Sequence, residues 1–304
     1  MSTEEPLVQV LLSLYEPGEY LVPQLQSVRA QDHPAVYTLV RDDGSSSATL
    51  GRVEAELHHV GPHRFVAGPH LGAARSFLSM LGELEPEAQY AAFCDQDDIW
   101  MRGKLSRAVH ALSGVQGPAM YCSAVRVTTQ DLRPLRLHAT CTRGPSFANA
   151  LVQNIATGCT VVLNRPGAEL AGSYVPAAAV MHDAWCYLLI SGAGSVVYDP
   201  QPQVLYRVHP GNAVGVAPGR ATAWASRVQR RLLPRQLAWT AQAAELSDKF
   251  RDALQPGAQR YLDEFLAAAP TFSRRLRYAA SRGAYFQSRS DSLAFKLSFV
   301  LRGA

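Results

Sequence analysis

Short apolar runs alternate with segments of helical periodicity over the first two-thirds of the chain, which is the pattern of an α/β sheet. Val8–Leu14 (VQVLLSL) reads as a buried strand, and Tyr20–Gln31 as a helix that tolerates Pro23 only in its first turn. Further strands are expected at Tyr37–Val40, Phe65–Val66 and Tyr90–Cys94, with helices over Thr49–His59, Ala73–Leu84 and Lys104–Leu112. The middle is less regular: Ala119–Thr128, Thr160–Asn164, Ser195–Tyr198 and Val204–Tyr206 read as strands, and Asp183–Ile190 as a short helix. From about Ala221 the pattern is helical to the end, punctuated by Pro234, Pro256-Gly257 and Pro270. The chain shows no internal repeat and no low-complexity tract.

Composition narrows the class. With 304 residues, 47% hydrophobic and 18% charged, the chain can bury a core, as one large domain or a domain with an appendage. Its start, MSTEEPLVQV, lacks the basic segment, apolar run and cleavage site of a secretory signal. The longest charge-free stretch, Gly144 to Asn164, is too interrupted by polar residues, Pro and Gly for a transmembrane helix. A cytoplasmic protein is expected. The five cysteines (Cys94, Cys122, Cys141, Cys159 and Cys186) contain no CxxC pair, so reduced buried thiols are expected rather than disulfides or a zinc site. The net charge of +4 hides an asymmetry: residues 1–215 hold 14 Lys+Arg against 19 Asp+Glu, and residues 216–304 hold 15 against 6. An acidic body with a basic tail suggests two regions with different work, divided near residue 215.

Two strands end in acidic clusters, Asp42-Asp43 and Asp95-Gln96-Asp97-Asp98. Ligands of open α/β sheets collect at the carboxyl ends of strands. Carboxylates crowded there repel one another unless a cation or donor groups satisfy them. A hard divalent ion such as Mg²⁺ or Mn²⁺ takes one or two carboxylates and completes its shell with phosphate oxygens and water. Helix capping is the competing account, and for Asp98 it is the preferred one.

At these residues the chain resembles family 2 glycosyltransferases of the GT-A fold, especially their bacterial rhamnosyltransferase-like branch. FCDQDDIW (Phe93–Trp100) resembles the DXD segment. In order along the chain, Ser13–Pro34 resembles the opening strand, loop and helix, LVRDDGSSS (Leu39–Ser47) the nucleotide-binding turn, and HLGAARSF (His70–Phe77) the "NxGxxxARN" segment. TGCTVVLNR (Thr157–Arg165) resembles the loop facing the sugar, MHDAWCYLL (Met181–Leu189) the segment carrying the base, and LYRVHPGNAVG (Leu205–Gly215) the "YRxHxxNxxG" element. The resemblance implies an α/β GT-A domain with a Rossmann-like mixed sheet over residues 1–215 and a helical extension over residues 216–304. It further implies that Ser13, Asp42, Asp43, Arg75, Asp95 and Gly158 face the nucleotide-sugar donor, that Asp95, Asp97 and His209 surround the metal, and that Asp183 is the general base. Ser76, where Asn is common, and Ala184, where an aromatic residue is frequent, depart from the family pattern.

Taken alone, Asp183 suits a helix cap, His209 a structural histidine, Arg75 a surface ion pair, and Trp100 and Trp185 the core; His182 is read as structural. The joint order favours an inverting transferase using a dTDP- or UDP-sugar, dTDP-rhamnose first, and a glycan or lipid-linked acceptor. A sugar nucleotidyltransferase would show a Gly- and Arg/Lys-rich loop that Ser13–Gly18 lacks, and a non-catalytic nucleotide-sugar-binding protein would not need Asp95, Asp97, Asp183 and His209 together. The basic, aromatic-rich tail suits either an anionic membrane surface, at the inner face of the cell membrane, or a packing subdomain with a solvated basic face. Nucleic acid is disfavoured, because no recognition motif accompanies the charge.

Overall fold

The computed structural model describes residues 5–209, 234–268, 270–281 and 283–302. The strands among them are β1 (Leu7–Leu14), β2 (Val36–Asp42), β3 (His63–Ala67), β4 (Ala88–Cys94), β5 (Ile99–Trp100), β6 (Ala119–Thr128), β7 (Pro134–His138), β8 (Val162–Asn164) and β9 (Ser195–Arg207). They form one sheet in the order β3-β2-β1-β4-β8-β6-β9-β5, with β7 on β6. β3, β2, β1 and β4 are parallel, whereas β8 is antiparallel to β4 and to β6. The register pairs Leu14 with Asp42 and Leu12 with Cys94. Strands β1, β2 and β4 therefore end at one edge, and the two acidic clusters leave the sheet side by side.

Alternation along the strands sends successive side chains to opposite faces. Val10, Leu12 and Leu14 pack with helices α1 (Leu21–Arg29) and α4 (Lys104–Leu112). Leu11 and Phe93 pack on the other face with α3 (Ala73–Met80) and α7 (His182–Ala193). Burial on both faces explains why the parallel strands read as unbroken apolar runs. Pro23 lies in the first turn of α1, where its missing N–H costs nothing.

Some expected elements differ. The runs at Ser195–Tyr198 and Val204–Tyr206 belong to one strand, β9, whose pairing with β6 shifts register between Ser123 and Val125. Gly158–Thr160 is a turn of 3₁₀ helix, and β8 begins only at Val162. The two-residue β5 and the mostly exposed β7 carry too little apolar pattern to be seen in the sequence. So do the four-residue α5 (Phe147–Ala150) and α6 (Arg165–Gly172), whose cap is Asn164, accepting from the Gly167 N–H. All five cysteines are unpaired thiols, and four of them are buried.

The helices α8 (Pro234–Phe250), α9 (Pro256–Ala268), α10 (Phe272–Ala280) and α11 (Arg289–Arg302) follow. The division expected at residues 215/216 lies outside the described residues. Leu246, Phe250, Leu262, Phe265, Tyr278, Phe295 and Phe299 are buried in the same core as Trp185 of α7. Polar side chains fix the docking. Gln287 accepts from the Thr142 and Arg143 N–H groups at 3.0 and 2.7 Å and donates to the Gly144 carbonyl at 3.0 Å. The Glu245 carboxylate accepts from the Ala177 and Ala178 N–H groups and from the Tyr174 hydroxyl.

Gln287→Met keeps the volume but strands two backbone donors, so it should lower unfolding stability by about 1–3 kcal/mol. Urea unfolding of the variant checks this; an unchanged midpoint would mean that the tail is held by apolar contacts alone.

Candidate functional site

The turn after β2 is organised by its own two carboxylates. Asp42 Oδ2 accepts from the Gly44 and Ser45 N–H groups at 3.0 and 2.8 Å, while its Oδ1 is buried with no hydrogen-bond partner. Gly44 has φ 88°, and a Cβ there would stand 2.8 Å from the His70 nitrogen, so only glycine fits. Asp43 is different. It pairs with buried Arg41 and accepts from the Leu71 and Gly72 N–H groups at 2.9 and 2.8 Å. Its carboxylate ties the His70–Gly72 segment to the turn and is already satisfied by protein donors. Arg41 also donates to Ser76, whose hydroxyl lies 2.7 Å from that of Ser13. Ser76 thus completes a buried network, which gives the departure from the family pattern a structural use. Arg75 is exposed on α3 and makes no ion pair with the described residues.

The loop after β4 is clamped from both sides. Gln96 accepts from the Tyr15 N–H at 2.9 Å and donates to the Tyr15 carbonyl at 3.1 Å. Asp97 Oδ2 lies 2.8 Å from His209 Nε2, so these two expected site residues are brought together. Asp98 does not cap the next helix. The chain first forms β5, α4 starts after Gly103, and Asp98 Oδ1 instead accepts the Arg207 N–H at 3.0 Å. The Arg207 guanidinium donates to the Asp97 and Gln130 carbonyls and lies over the Tyr20 ring. The second oxygen of Asp98 is buried without a partner, and ligand atoms of Asp95, Asp98 and Cys159 lie within 4.8 Å of one another.

This crowding has an electrostatic signature. Burial, then the Asp97 charge, pushes the Asp98 carboxyl up to about 7. Asp95 is raised well above the ordinary carboxylate range by burial and then by Asp98, Asp97 and Asp183. The Cys159 thiol is raised too, chiefly by burial, so it stays protonated and is a poor ligand. Beneath the loop sits Lys104, fully buried, its Nζ 3.3 Å from the centre of the Trp100 ring and without a hydrogen-bond partner. Burial lowers its ammonium to about 7, against the pull of Cys94, Cys159 and Asp95. Lys104 is weakly marked in the sequence. Its one signal was position: a lysine opening a helix opposes the helix dipole unless an acid lies near. The Asp95 and Asp98 oxygens, one of them unpartnered, are hard donors of the kind Mg²⁺ or Mn²⁺ takes, whereas the expected metal residues Asp97 and His209 pair with each other and are not in that cluster.

Near the loop, with its charge felt at Asp95, Asp183 is the second residue of α7, after the N-cap Met181, and its Oδ1 accepts the Ala184 N–H at 2.7 Å. Burial raises its carboxyl to about 6, against hydrogen bonds from Ala184 and Asn154 that lower it. Gly158 lies beside it. A Cβ there would stand 2.6 Å from His182 Nε2 and 3.8 Å from Asp183 Oδ2. His182 cannot yield, because its ring stacks 4.1 Å from Phe77 and edges Phe93 at 4.8 Å. Burial lowers its imidazolium to about 3, leaving a neutral core histidine, as expected. Trp100 and Trp185 are buried too. The structure thus brings Asp97 to His209 and Gly158 to Asp183, with the Asp183 charge felt at Asp95, while Ser13 and Asp42 lie at the ends of the neighbouring strands β1 and β2.

The sign of the Asp98 shift gives a test. A carboxyl raised from 3.8 to about 7 contributes stability below its unfolded value that is lost as pH climbs through 7. Asp98→Asn keeps the acceptor for Arg207 but not the charge. It should raise the metal-free melting temperature by a few degrees at pH 8 and leave it unchanged near pH 3.5. Mn²⁺ should stabilise the wild type more at pH 8 than at pH 5.5, because protons compete for the same oxygens. Thermal melts at these pH values, with and without Mn²⁺, decide both points.

No family model matches the chain. It is 26% identical over 172 residues, 54% of this chain and 65% of the relative, to the protein provisionally named teichuronic acid biosynthesis glycosyltransferase TuaG of Bacillus subtilis (strain 168). It is 32% identical over 108 residues, 34% of this chain and 31% of the relative, to an uncharacterized glycosyltransferase of Nostoc sp. (strain PCC 7120 / SAG 25.82 / UTEX 2576). Each match thus spans less than two-thirds of the relative's own length. Among solved structures, S. aureus TarS residues 1–349 in complex with UDP superposes with a TM-score of 0.58 at 14% identity, covering 91% of this chain and 72% of that one. The mannosyltransferase PcManGT from Pyrobaculum calidifontis, in complex with GDP-Man and Mn²⁺, gives 0.50 at 18% identity, over 99% and 88%. The mixed α/β fold of this chain is that of the GT-A glycosyltransferases.

Proposed function

We propose that the chain is an inverting, divalent-metal-dependent glycosyltransferase that moves a sugar from a nucleoside-diphosphate donor to a hydroxyl acceptor. The observation that supports this reading is the approach of Asp183, beside Gly158, to the Asp95–Asp98 loop, close enough for its charge to act on Asp95. The similarity to named glycosyltransferases supports the reaction class.

Each residue has a task in this reading. Asp42, whose Oδ1 lacks a partner, receives the base or ribose of the donor, and the Ser13 and Arg75 segments flank it. Asp95 meets the ribose and, with Asp97 and His209, holds the cation; Asp98, whose second oxygen lacks a partner, lies in the same cluster. When bound, the cation offsets the negative charge growing on the departing diphosphate. Asp183 accepts the acceptor hydroxyl proton as the new bond forms to the anomeric carbon and the bond to the diphosphate breaks. Gly158, without a side chain, leaves room for the sugar between loop and base. A single carboxylate there, acting as base, implies direct displacement and inversion through an oxocarbenium-like transition state. The rhamnosyltransferase-like resemblance makes a dTDP- or UDP-sugar the donor, dTDP-rhamnose first, and a surface polysaccharide or lipid-linked glycan the acceptor. TarS bound to UDP-GlcNAc and PcManGT bound to GDP-Man make the nucleotide-sugar class a reasonable panel for a donor screen.

Asp183→Asn retains the helix-start hydrogen bond and removes the proton acceptor. Transfer should fall about a hundredfold or more while donor binding holds and the melting temperature does not fall. Wild-type transfer should rise with pH through about 6 and then level, because the carboxyl must be ionised to act. Near-normal turnover in the variant would remove Asp183 from the mechanism.

Asp97→Ala should abolish, and His209→Ala weaken, the Mn²⁺-dependent part of UDP or dTDP binding. Calorimetry with and without Mn²⁺ measures it. Wild-type binding of equal strength without metal would overturn the metal assignment.

A further inference from the structure

Helices α10 and α11 each present two opposite faces. The inner faces carry Tyr278, Phe295 and Phe299 into the core. The outer faces are apolar and uncovered. On α11, Leu293, Leu297 and Leu301 are 61%, 58% and 73% exposed. Residues four apart lie about 40° apart around a helix, so these three form one continuous strip. On α10, Phe272 and Leu276 are likewise 55% and 53% exposed and four residues apart.

The charge around these strips has one sign. Arg289 and Lys296 border the α11 strip along one side by helical position. On α10, Arg275 lies beside the strip, about 60° round the helix from Phe272, whereas Arg277 and Arg274 lie toward the face away from it. Between residues 270 and 302 the sequence holds seven Lys+Arg and one acidic residue, Asp291. Asp291 lies about 120° round α11 from the centre of the leucine strip. The two helices are joined: Arg275 Nε donates to the Val300 carbonyl at 3.2 Å, and Tyr278 packs on Phe299 with ring centres 5.5 Å apart.

An exposed apolar strip beside cationic side chains needs a partner with an apolar phase beneath an anionic surface. Nucleic acid offers the anions but no apolar phase for five exposed Leu and Phe side chains. A second copy of this face would bring like charges together. We infer that the outer faces of α10 and α11 lie on an anionic lipid bilayer, with the leucines and Phe272 in the acyl boundary and Arg275, Arg289 and Lys296 at the headgroups. No helix among the described residues is long and apolar enough to cross a membrane, so the contact is interfacial. The inference stands apart from the proposed reaction, because none of these residues belongs to the strand-end site.

The test is sedimentation of the full chain with vesicles of phosphatidylcholine containing phosphatidylglycerol, and with phosphatidylcholine alone. Binding should require phosphatidylglycerol and weaken between 0.05 and 0.5 M salt, because exposed charge attraction is screened over about 10 Å at 0.1 M. The exposed double variant Leu293→Ser/Leu297→Ser should lose at least tenfold in vesicle affinity with its melting temperature unchanged. Arg289→Glu/Lys296→Glu should do the same. Equal binding to both vesicle types, no binding to either, or unchanged binding by the leucine variant would overturn the proposal. So would a concentration-dependent dimer in light scattering that the leucine variant abolishes, since it would give the face to a second copy.

Discussion

The constraint on which the site depends is the mutual repulsion of carboxylates held at one edge of a sheet. The parallel register of β1, β2 and β4 sends Asp42-Asp43 and Asp95–Asp98 out together. In a buried setting each added charge raises the cost of the next. The protein does not remove this cost by pairing every acid with a cation. Arg41 neutralises only Asp43, and Arg207 gives the loop hydrogen bonds to backbone and to one Asp98 oxygen. What remains, raised carboxyls at Asp95 and Asp98 and a buried unpartnered oxygen, is a site with electrostatic energy to release on meeting a cation.

Holding such a site open demands a rigid frame, and the frame is built from contacts distant in sequence. Gln96 grips the backbone of Tyr15 from 81 residues away. An aromatic cluster sets the Asp183 side: Phe77, stacked, and Phe93, edge-on, fix the neutral His182 ring, which limits how closely Gly158 approaches the start of α7, beside Asp183. A core contact therefore acts on the site without touching anything in it. The same apolar setting raises Asp183 to about 6, which leaves its carboxylate more basic than a solvated one while still ionised at neutral pH.

The sequence leaves a membrane surface and a packing subdomain as alternative uses of the tail. The helices pack through one face and leave the other exposed. Tyr278, Phe295 and Phe299 turn inward, and Gln287 stitches the segment to residues 142–149. Leu293, Leu297 and Leu301 turn outward. Composition counts residues but does not assign them to faces.

The sequence by itself determined the alternation of strands and helices, because apolar runs and helical periodicity are local properties. Lys104–Leu112 and Ala119–Thr128 form where the pattern placed them. It also determined the acidic strand ends and, through motif order, the meeting of Asp97 with His209 across 112 residues. Only the tertiary structure decided which carboxylates are spent and which are not. Asp43 is satisfied by Arg41 and a neighbouring loop, whereas its neighbour Asp42 keeps an oxygen without a partner. Asp98, expected to cap a helix, serves the Arg207 backbone 109 residues away, and Lys104 is buried beneath the same loop. The physical reason is common to all of these. A side chain's partner and its degree of burial belong to the packed neighbourhood, which is assembled from segments far apart in the chain, so no local pattern encodes them.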